Sequence, residues 1–196
     1  MKKGNLLVLL AIGLLAGGVA NAQKSESPQL KTVPSVDLKR YAGKWYEIGK
    51  YPNKFQKDCV GNTSAEYALK EGGKIEVINT CITKEGVPKV AKGEAKVVDK
   101  TTNAKLKVRF APSALSFLPF VWGDYWITEL GENYDYAVIG DPKREYFWIL
   151  SRQPEMNDTE FQAILRRAEA QGFQPGRVER TSQKVEAVKG TVIERN

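Results

Sequence analysis

The sequence of 196 residues contains no histidine, and this absence removes several classes of catalytic and metal site. Histidine is the usual general base for serine and cysteine nucleophiles, a common zinc ligand, and the side chain that titrates near neutral pH without perturbation. The sequence also shows no glycine-rich phosphate loop, carboxylate pair or metal-ligand cluster of recognisable spacing. We therefore expect a protein that is not an enzyme and that carries no metal ion or cofactor.

Long hydrophobic runs are also scarce, and the one at the start of the chain is typical of a secretory leader. A lysine pair precedes an apolar run from Leu6 to Ala16, about half of the roughly 20 residues that a membrane-spanning helix needs. Small residues then favour cleavage before Gln23. We expect residues 1–22 to be a cleaved signal peptide and the remaining chain to be exported.

The sequence has only two cysteines, and their positions bear on both anchoring and cross-linking. Glycine stands after the apolar run, where a lipid-anchored protein carries cysteine, so we expect a soluble periplasmic protein and leave outer-membrane association open. Cys59 and Cys81 are 22 residues apart and lack the Cys-x-x-Cys spacing of redox and metal motifs. In an exported protein this pair predicts one structural disulfide.

Composition and charge fit neither disorder nor a membrane bundle, because 42% of the residues are hydrophobic and 27% are charged. Basic residues outnumber acidic ones by 30 to 23, and the net charge of +7 falls by two when the leader and its lysines are removed. This excess favours contact with anionic lipid surfaces or headgroups. We expect no nucleic-acid partner for an exported protein.

Eight short segments rich in Val, Ile, Tyr and Trp follow one another with turn residues between them. This spacing predicts strands joined in sequence rather than alternating βαβ units. Closing such a sheet removes its exposed edges, so the predicted fold class is all-β, an eight-stranded antiparallel up-and-down β-barrel with room for one small ligand. The strands are expected at residues 43–51, 63–70, 74–82, 88–99, 104–111, 122–130, 135–140 and 145–152.

After the strands the period of the hydrophobic pattern changes from two to about 3.6. Apolar residues that begin with Phe161 fall on one stripe, after a capping residue, Asn157. We predict one amphipathic helix over about residues 157–171, packed on the outside of the sheet. One domain then covers residues 23–183, and residues 184–196 are expected to form a polar tail.

Three motifs, in order, resemble those of the lipocalin family. They are the segment Gly43 to Ile48, which begins Gly-Lys-Trp, the segment Tyr134 to Pro142, and the segment Tyr146 to Arg152. The resemblance covers about residues 34–183 and is strongest with the subgroup of bacterial outer-membrane lipocalins and apolipoprotein D. It implies the lipocalin calyx, a barrel that is open at one end and carries one trailing helix.

The resemblance also implies a structural role for three residues of these motifs. Trp45 on the first strand and Arg152 at the end of the eighth come together when the barrel closes, and a guanidinium over an indole is favourable by roughly 0.5 to 2 kcal/mol. Gly43 is expected to permit close approach of the backbone at the start of the strand. No ligand role follows for these residues.

Strand parity and the resemblance together select residues that line the calyx. If Arg152 points inward, Leu150 and Trp148 do so too, because side chains alternate along a strand. The resemblance adds positions on four other strands, and the mostly apolar set suits an acyl chain with one polar end. Ordinary barrel packing is the alternative for each residue. The expected ligand-binding residues are Tyr67, Val77, Asn79, Val108, Phe110, Tyr125, Trp148 and Leu150, with Asn79 and Tyr125 as the polar contacts.

The loop between the fifth and sixth strands, residues 111–121, is unusually apolar for a loop. In an up-and-down barrel it shares the open end with the first loop, residues 52–62, and with the cysteine pair. Its apolar side chains either make contact with a membrane or a protein, or fold inward as a lid. These side chains are Leu115, Phe117, Leu118 and Phe120.

The function that these features favour is non-catalytic binding, storage or transport of an amphipathic lipid, such as a lysophospholipid or a fatty acid, in the bacterial cell envelope. One alternative is a structural or partner-binding envelope protein, for example a homodimer formed through the apolar loop. Bulky side chains that block the calyx would favour this structural alternative. The other alternative is a lipid-modifying enzyme, but no base pairs with Ser151 or Asp141 near the motifs.

Overall fold

The computed structural model describes residues 29–186 and the backbone of residues 193–195. The expected leader, residues 1–22, and part of the expected tail lie outside the described residues. Single-turn 3-10 helices lie at Glu71–Gly73, Ser113–Leu115, Pro119–Val121 and Pro175–Arg177. The other elements, in chain order, are α1 (Leu38–Tyr41), β1 (Gly43–Lys50), β2 (Cys59–Leu69), β3 (Lys74–Thr83), β4 (Pro88–Val97), β5 (Lys105–Arg109), β6 (Gly123–Leu130), β7 (Tyr136–Gly140), β8 (Phe147–Ser151), α2 (Asp158–Ala170), β9 (Glu179–Arg180) and β10 (Ile193–Arg195).

The strands β1 to β8 form a closed antiparallel barrel. Each strand pairs with the next one along the chain, and β8 pairs back with β1. Alternation along the strands separates the two faces of the sheet, as on β7, where Ala137 and Ile139 face the interior and Val138 faces outward. The predicted eight-stranded barrel is confirmed.

The first loop is shorter than the sequence predicted, because β2 begins at Cys59 rather than at residue 63. The start of β2 is irregular: its register against β3 shifts twice before Ser64, and Asn62 has a positive φ of 48°. These irregularities interrupt the alternation of apolar and polar residues, which hides the strand in the sequence. Cys59 forms the predicted disulfide with Cys81 on β3, with their Cα atoms 5.7 Å apart.

The C-terminal segment fills a gap in the barrel wall near its open end. β1 pairs with β2 only from Gly43 to Tyr46, and beyond that point β9 pairs with β1 in place of β2. The side-chain amide of Gln183 donates to the carbonyl of Glu47 on β1, at 2.7 Å, and to that of Thr63 on β2, at 2.9 Å. The seam between β1 and β2 is therefore closed by residues that follow the helix.

The helix α2 covers the outer face of β1, β7 and β8. Asn157 caps it by accepting a hydrogen bond from the Glu160 backbone nitrogen at 2.8 Å, which confirms the predicted start. Its buried stripe, which includes Phe161 and Ile164, packs with Ile149 and other outward-facing residues of the sheet in a second apolar core. No helix in the described part of the chain is long and apolar enough to cross a membrane.

The closed end of the barrel is built around Arg152. Its guanidinium carbon lies 3.8 Å from the ring centroid of Trp45, which confirms the predicted contact. Trp45 is fully buried, and its indole nitrogen donates to the Tyr41 carbonyl at 2.8 Å. The nitrogens of Arg152 donate to five backbone carbonyls, those of Lys44 (2.8 Å), Arg40 (2.6 Å), Tyr41 (3.2 Å), Ala42 (2.9 Å) and Tyr134 (3.3 Å).

Gly43 is needed for its backbone conformation rather than for close approach, which corrects the sequence-based expectation. Its φ is 90°, a value that residues with a side chain rarely adopt. A Cβ atom at this position would lie 3.5 Å from the Arg152 guanidinium, which is an ordinary van der Waals distance.

Replacing Arg152 with lysine is expected to destabilise the barrel. A lysine ammonium cannot lie flat on the indole and reach the same carbonyls, so Arg152→Lys should lower the free energy of unfolding by about 2 to 3 kcal/mol. Urea denaturation measures this change. Arg166→Lys on the exposed face of α2 is the matched control and should change stability by less than about 0.5 kcal/mol. Equal effects of the two substitutions would contradict the role assigned to Arg152.

Candidate ligand-binding site

The interior of the barrel brings together most of the residues that the sequence predicted to line a calyx. Tyr67, Val77 and Leu150 are buried in the interior apolar core, and Val108, Tyr125 and Trp148 pack against it with part of their surface accessible. These six side chains come from β2, β3, β5, β6 and β8, so they converge from around the barrel. The parity argument that placed Leu150 and Trp148 on the inner face is confirmed.

Asn79 also belongs to the inner face, two residues after Val77 on β3. Its side-chain oxygen Oδ1 is buried and accepts no hydrogen bond within the described part of the chain. A buried acceptor without a partner costs on the order of 1 to 3 kcal/mol, so Asn79 offers an unused acceptor inside the barrel.

Phe110 lies apart from the other predicted site residues, at the rim of the open end. It follows the last residue of β5, is 37% exposed, and lies over Gly93 of β4. A Cβ atom at Gly93 would lie 2.7 Å from the Phe110 ring, so a side chain at residue 93 would displace the ring. Phe110 lines a surface depression of about 400 Å³ together with Lys92, Glu94, Arg109 and the start of the next loop.

Arg109 gives this rim depression a positive charge. It is only 6% exposed, and one of its nitrogens lies 3.6 Å from a carboxylate oxygen of Glu94. Its guanidinium also faces the Trp122 ring at 5.2 Å, and the ammonium of Lys96 lies 4.0 Å from the same ring. The outer side of the rim therefore carries two cations packed on an indole.

Three tyrosine hydroxyls meet deep in the barrel, next to the buried Trp45 at the closed end. The Tyr125 hydroxyl lies 2.7 Å from that of Tyr41 and 2.9 Å from that of Tyr67. Tyr67 on β2 and Tyr125 on β6 come from opposite walls, since three strands lie between β2 and β6 in either direction. We call Tyr41, Tyr67 and Tyr125 the tyrosine triad, and it spans the interior above the closed end.

Burial stabilises the neutral form of all three phenols of the tyrosine triad. It raises the pKa of Tyr67 to about 12, and it also raises the pKa values of Tyr41 and Tyr125 well above the ordinary tyrosine range. Each residue therefore retains its hydroxyl proton at neutral pH and can donate one hydrogen bond.

A second polar network holds the first loop over the open end. The Trp148 indole nitrogen donates to Gln56 Oε1 at 3.0 Å, and Gln56 Nε2 donates to Glu47 Oε2 at 2.5 Å. The other carboxylate oxygen of Glu47 accepts from the Thr181 hydroxyl at 2.6 Å. Glu47 is only 3% exposed, and burial raises its pKa although the hydrogen bonds from Thr181 and Gln56 oppose the shift.

The apolar loop between β5 and β6 does not bury its aromatic side chains. Phe117 is 77% exposed and Phe120 is 80% exposed, while Leu115 is 39% exposed and Leu118 is half-buried. The loop instead forms two short 3-10 turns beside the rim depression. Of the two expectations for this loop, the inward-folded lid is wrong for Phe117 and Phe120.

The sequence-based selection missed Tyr41 and Glu47, two interior residues with polar groups. Tyr41 lies in α1, before the first strand, so strand parity could not reach it, although the N-cap residue Asp37 marks the start of this turn. Glu47 stands two residues after Trp45 on β1, and parity from Trp45 would have placed it on the inner face. Within residues 29–186, no three acidic or cysteine side chains are grouped so as to hold a metal ion.

The arrangement of these residues defines a class of protein. A barrel closed at one end by Arg152 and Trp45, apolar inside and bordered by polar groups at the other end, is the form of a small-ligand-binding β-barrel.

Comparisons with known proteins identify the family. A family model described as a lipocalin-like domain matches residues 36–183, and the chain belongs to the lipocalin family. Temperature-induced lipocalin-1 of Arabidopsis thaliana is 35% identical over 161 residues, covering 81% of this chain and 86% of that protein. Outer membrane lipoprotein Blc of Escherichia coli K12 is 34% identical over 170 residues, or 86% of this chain and 92% of that protein.

Other relatives agree with the subgroup that the motifs resemble. Apolipoprotein D of Macaca fascicularis is 35% identical over 159 residues and covers 75% of this chain and 79% of that protein. Among solved structures, insecticyanin from the tobacco hornworm Manduca sexta has a TM-score of 0.64 at 22% identity, covering 86% of this chain and 93% of that one. The likeness to insecticyanin shows the fold alone.

The raised pKa of Glu47 predicts a pH dependence of stability. The folded protein keeps the Glu47 proton to a higher pH than the unfolded chain does, so the free energy of unfolding falls as the pH rises from the ordinary glutamate pKa through the raised one. Glu47→Gln removes this loss. The variant should therefore gain stability relative to the parent over the pH interval from the ordinary glutamate pKa to the raised one, as measured by urea denaturation.

The matched control for this prediction is Glu66→Gln, on the exposed face of β2. It should leave the pH dependence of the parent unchanged. A Glu47→Gln variant that loses stability relative to the parent over the same pH interval would contradict the assignment.

Proposed function

We propose that this lipocalin is a non-catalytic carrier that binds one amphipathic lipid with a single acyl chain, such as a lysophospholipid or a fatty acid. The observation that carries the proposal is the apolar interior of a barrel with one closed end. Membership of the lipocalin family implies a small hydrophobic ligand, and the names of the relatives, an outer membrane lipoprotein and an apolipoprotein, link them to membranes and lipids.

The apolar lining of the interior favours an acyl chain over a compact polar ligand. Each methylene group that leaves water for such a lining contributes about 0.8 kcal/mol. Gln56 and Glu47 place polar atoms near the open end, so a lipid whose headgroup lies there keeps that headgroup near solvent.

The envelope is the proposed place of action. The predicted leader directs the chain out of the cytoplasm, and the relatives in Vibrio cholerae and Escherichia coli are named outer membrane lipoproteins. We infer that the chain acts in the periplasm of such an envelope.

A structural or partner-binding role is the second candidate, and the tyrosine triad is the observation that favours it. Because Tyr67 and Tyr125 meet from opposite walls, they shorten the space available to a chain that enters from the open end. A carrier and a blocked barrel differ in one measurable respect, which is saturable lipid binding at one site.

Trp148 provides the test of the carrier. Isothermal titration calorimetry of the delipidated protein should show one site for lysophosphatidylethanolamine or hexadecanoic acid, and Trp148→Ala should weaken binding roughly tenfold or more because the chain loses aromatic contact area. Trp126→Ala is the matched control, since that indole lies on the outer face under Lys105, at 4.5 Å. Absence of saturable binding by the parent would overturn the carrier in favour of the structural candidate.

The loop between β5 and β6 is proposed to touch an anionic lipid surface when cargo is exchanged. The exposed rings of Phe117 and Phe120 form an apolar surface, and the cations Lys96 and Arg109 flank it on the Trp122 ring. An apolar surface with a basic border suits a membrane that carries negative headgroups.

Vesicle sedimentation tests the membrane contact. The parent should bind vesicles that contain phosphatidylglycerol more strongly than pure phosphatidylcholine vesicles, and Phe117→Ser with Phe120→Ser should lower the partition coefficient roughly tenfold or more. Val98→Ser, at the closed end, is the control because Val98 is also well exposed, at 55%. If the double variant leaves vesicle binding unchanged but dissociates a dimer, the loop is a homodimer interface instead.

A further inference from the structure

The tyrosine triad has more hydroxyl protons than hydrogen bonds in which those protons are donated. Three phenols carry three protons, and the triad has two hydroxyl contacts, Tyr41 to Tyr125 and Tyr67 to Tyr125. Each contact uses one proton, whichever oxygen donates. In the part of the chain that the structure describes, the three hydroxyls have no other hydrogen-bond partner, so one O–H group is left without an acceptor.

The surplus proton cannot be removed by ionisation under ordinary conditions. Burial keeps the phenols neutral, and Tyr41 and Tyr67 are almost fully buried, at 5% and 7% exposure. A buried donor without an acceptor costs on the order of 1 to 3 kcal/mol. An oxygen atom from a molecule inside the barrel would recover this cost.

Asn79 supplies the complementary group on the same inner face. Its Oδ1 is a buried acceptor without a donor among the described residues. The inner face thus holds an unused donor at the triad and an unused acceptor at Asn79. A hydroxyl group on a bound molecule can pair with either kind of group, since it donates one hydrogen bond and accepts two.

We propose that the tyrosine triad is a hydrogen-bonding subsite for a lipid whose acyl chain carries a hydroxyl or carbonyl oxygen at its buried end, and that the barrel prefers such oxygenated chains to plain ones. This inference rests on the proposed function, because the chain must enter the barrel. The subsite would select chains by their chemistry at the closed end, whereas a purely apolar closed end would accept any chain of suitable length.

The experiment compares matched ligands in matched variants. Dodecanoic, tetradecanoic and hexadecanoic acids and their terminally hydroxylated analogues are titrated by calorimetry into the delipidated full chain. The same titrations are made with the triple variant Tyr41→Phe, Tyr67→Phe and Tyr125→Phe, which keeps the three rings and removes only the hydroxyls. Tyr46→Phe is the control, since the Tyr46 ring packs against Lys44, at 4.7 Å, and takes no part in the triad.

The measured quantity is the ratio of the dissociation constant of each plain acid to that of its hydroxylated analogue. For the chain length that reaches the triad, this ratio should fall roughly three- to tenfold from the parent to the triple variant and stay unchanged in Tyr46→Phe. The triple variant should still bind plain acids at least as well as the parent does, which also shows that it folds.

A ratio that is the same in the parent and the triple variant at every chain length would overturn the oxygenated-chain subsite and leave the lipid carrier intact. Failure of all the acids to bind the parent would overturn the carrier itself, and the subsite with it. Should the triple variant not fold, Tyr125→Phe replaces it. Without the Tyr125 hydroxyl, both Tyr41 and Tyr67 have a free donor, where the parent has one in all. The proposed subsite then predicts a ratio at least as high as that of the parent. A lower ratio would overturn the proposed subsite.

Discussion

The contact between Arg152 and Trp45 is the interaction on which the rest of the barrel depends. Arg152 ends the last strand and Trp45 lies near the start of the first, so their stacking at 3.8 Å joins the two ends of the sheet. Three of the five carbonyls that Arg152 binds belong to α1 and its C-cap, so Arg152 also holds α1 in place, and α1 carries Tyr41 into the interior. Arg152 therefore both closes the barrel and helps to position Tyr41 at its deep end.

Much of this architecture could be predicted from the sequence because it follows from local periodicity. The ends of seven strands agree with the alternation pattern to within two residues, and the helix begins at the capping residue Asn157. The disulfide was predictable because an exported chain carries one cysteine pair, and the Arg152–Trp45 contact because these residues belong to the recognised motifs. The inward direction of Trp148 and Leu150 follows from strand parity.

The features that escaped prediction depend on contacts between distant parts of the chain. The tyrosine triad joins residues from α1, β2 and β6, and no local pattern reports that their hydroxyls meet. The closure of the β1–β2 seam by Gln183 depends on a segment more than a hundred residues away from either strand. The exposure of Phe117 and Phe120 could not be decided either, since composition shows that a loop is apolar and not which way it folds.

Native mass spectrometry of the protein, purified without detergent from the cells that make it, is the direct test of lipid binding, because it weighs the barrel together with whatever it holds. The account predicts one bound lipid for each chain, with a mass that identifies a single-chain lipid and, at higher resolution, an oxygen on that chain. An empty barrel that also takes up no lipid when one is added would contradict the account.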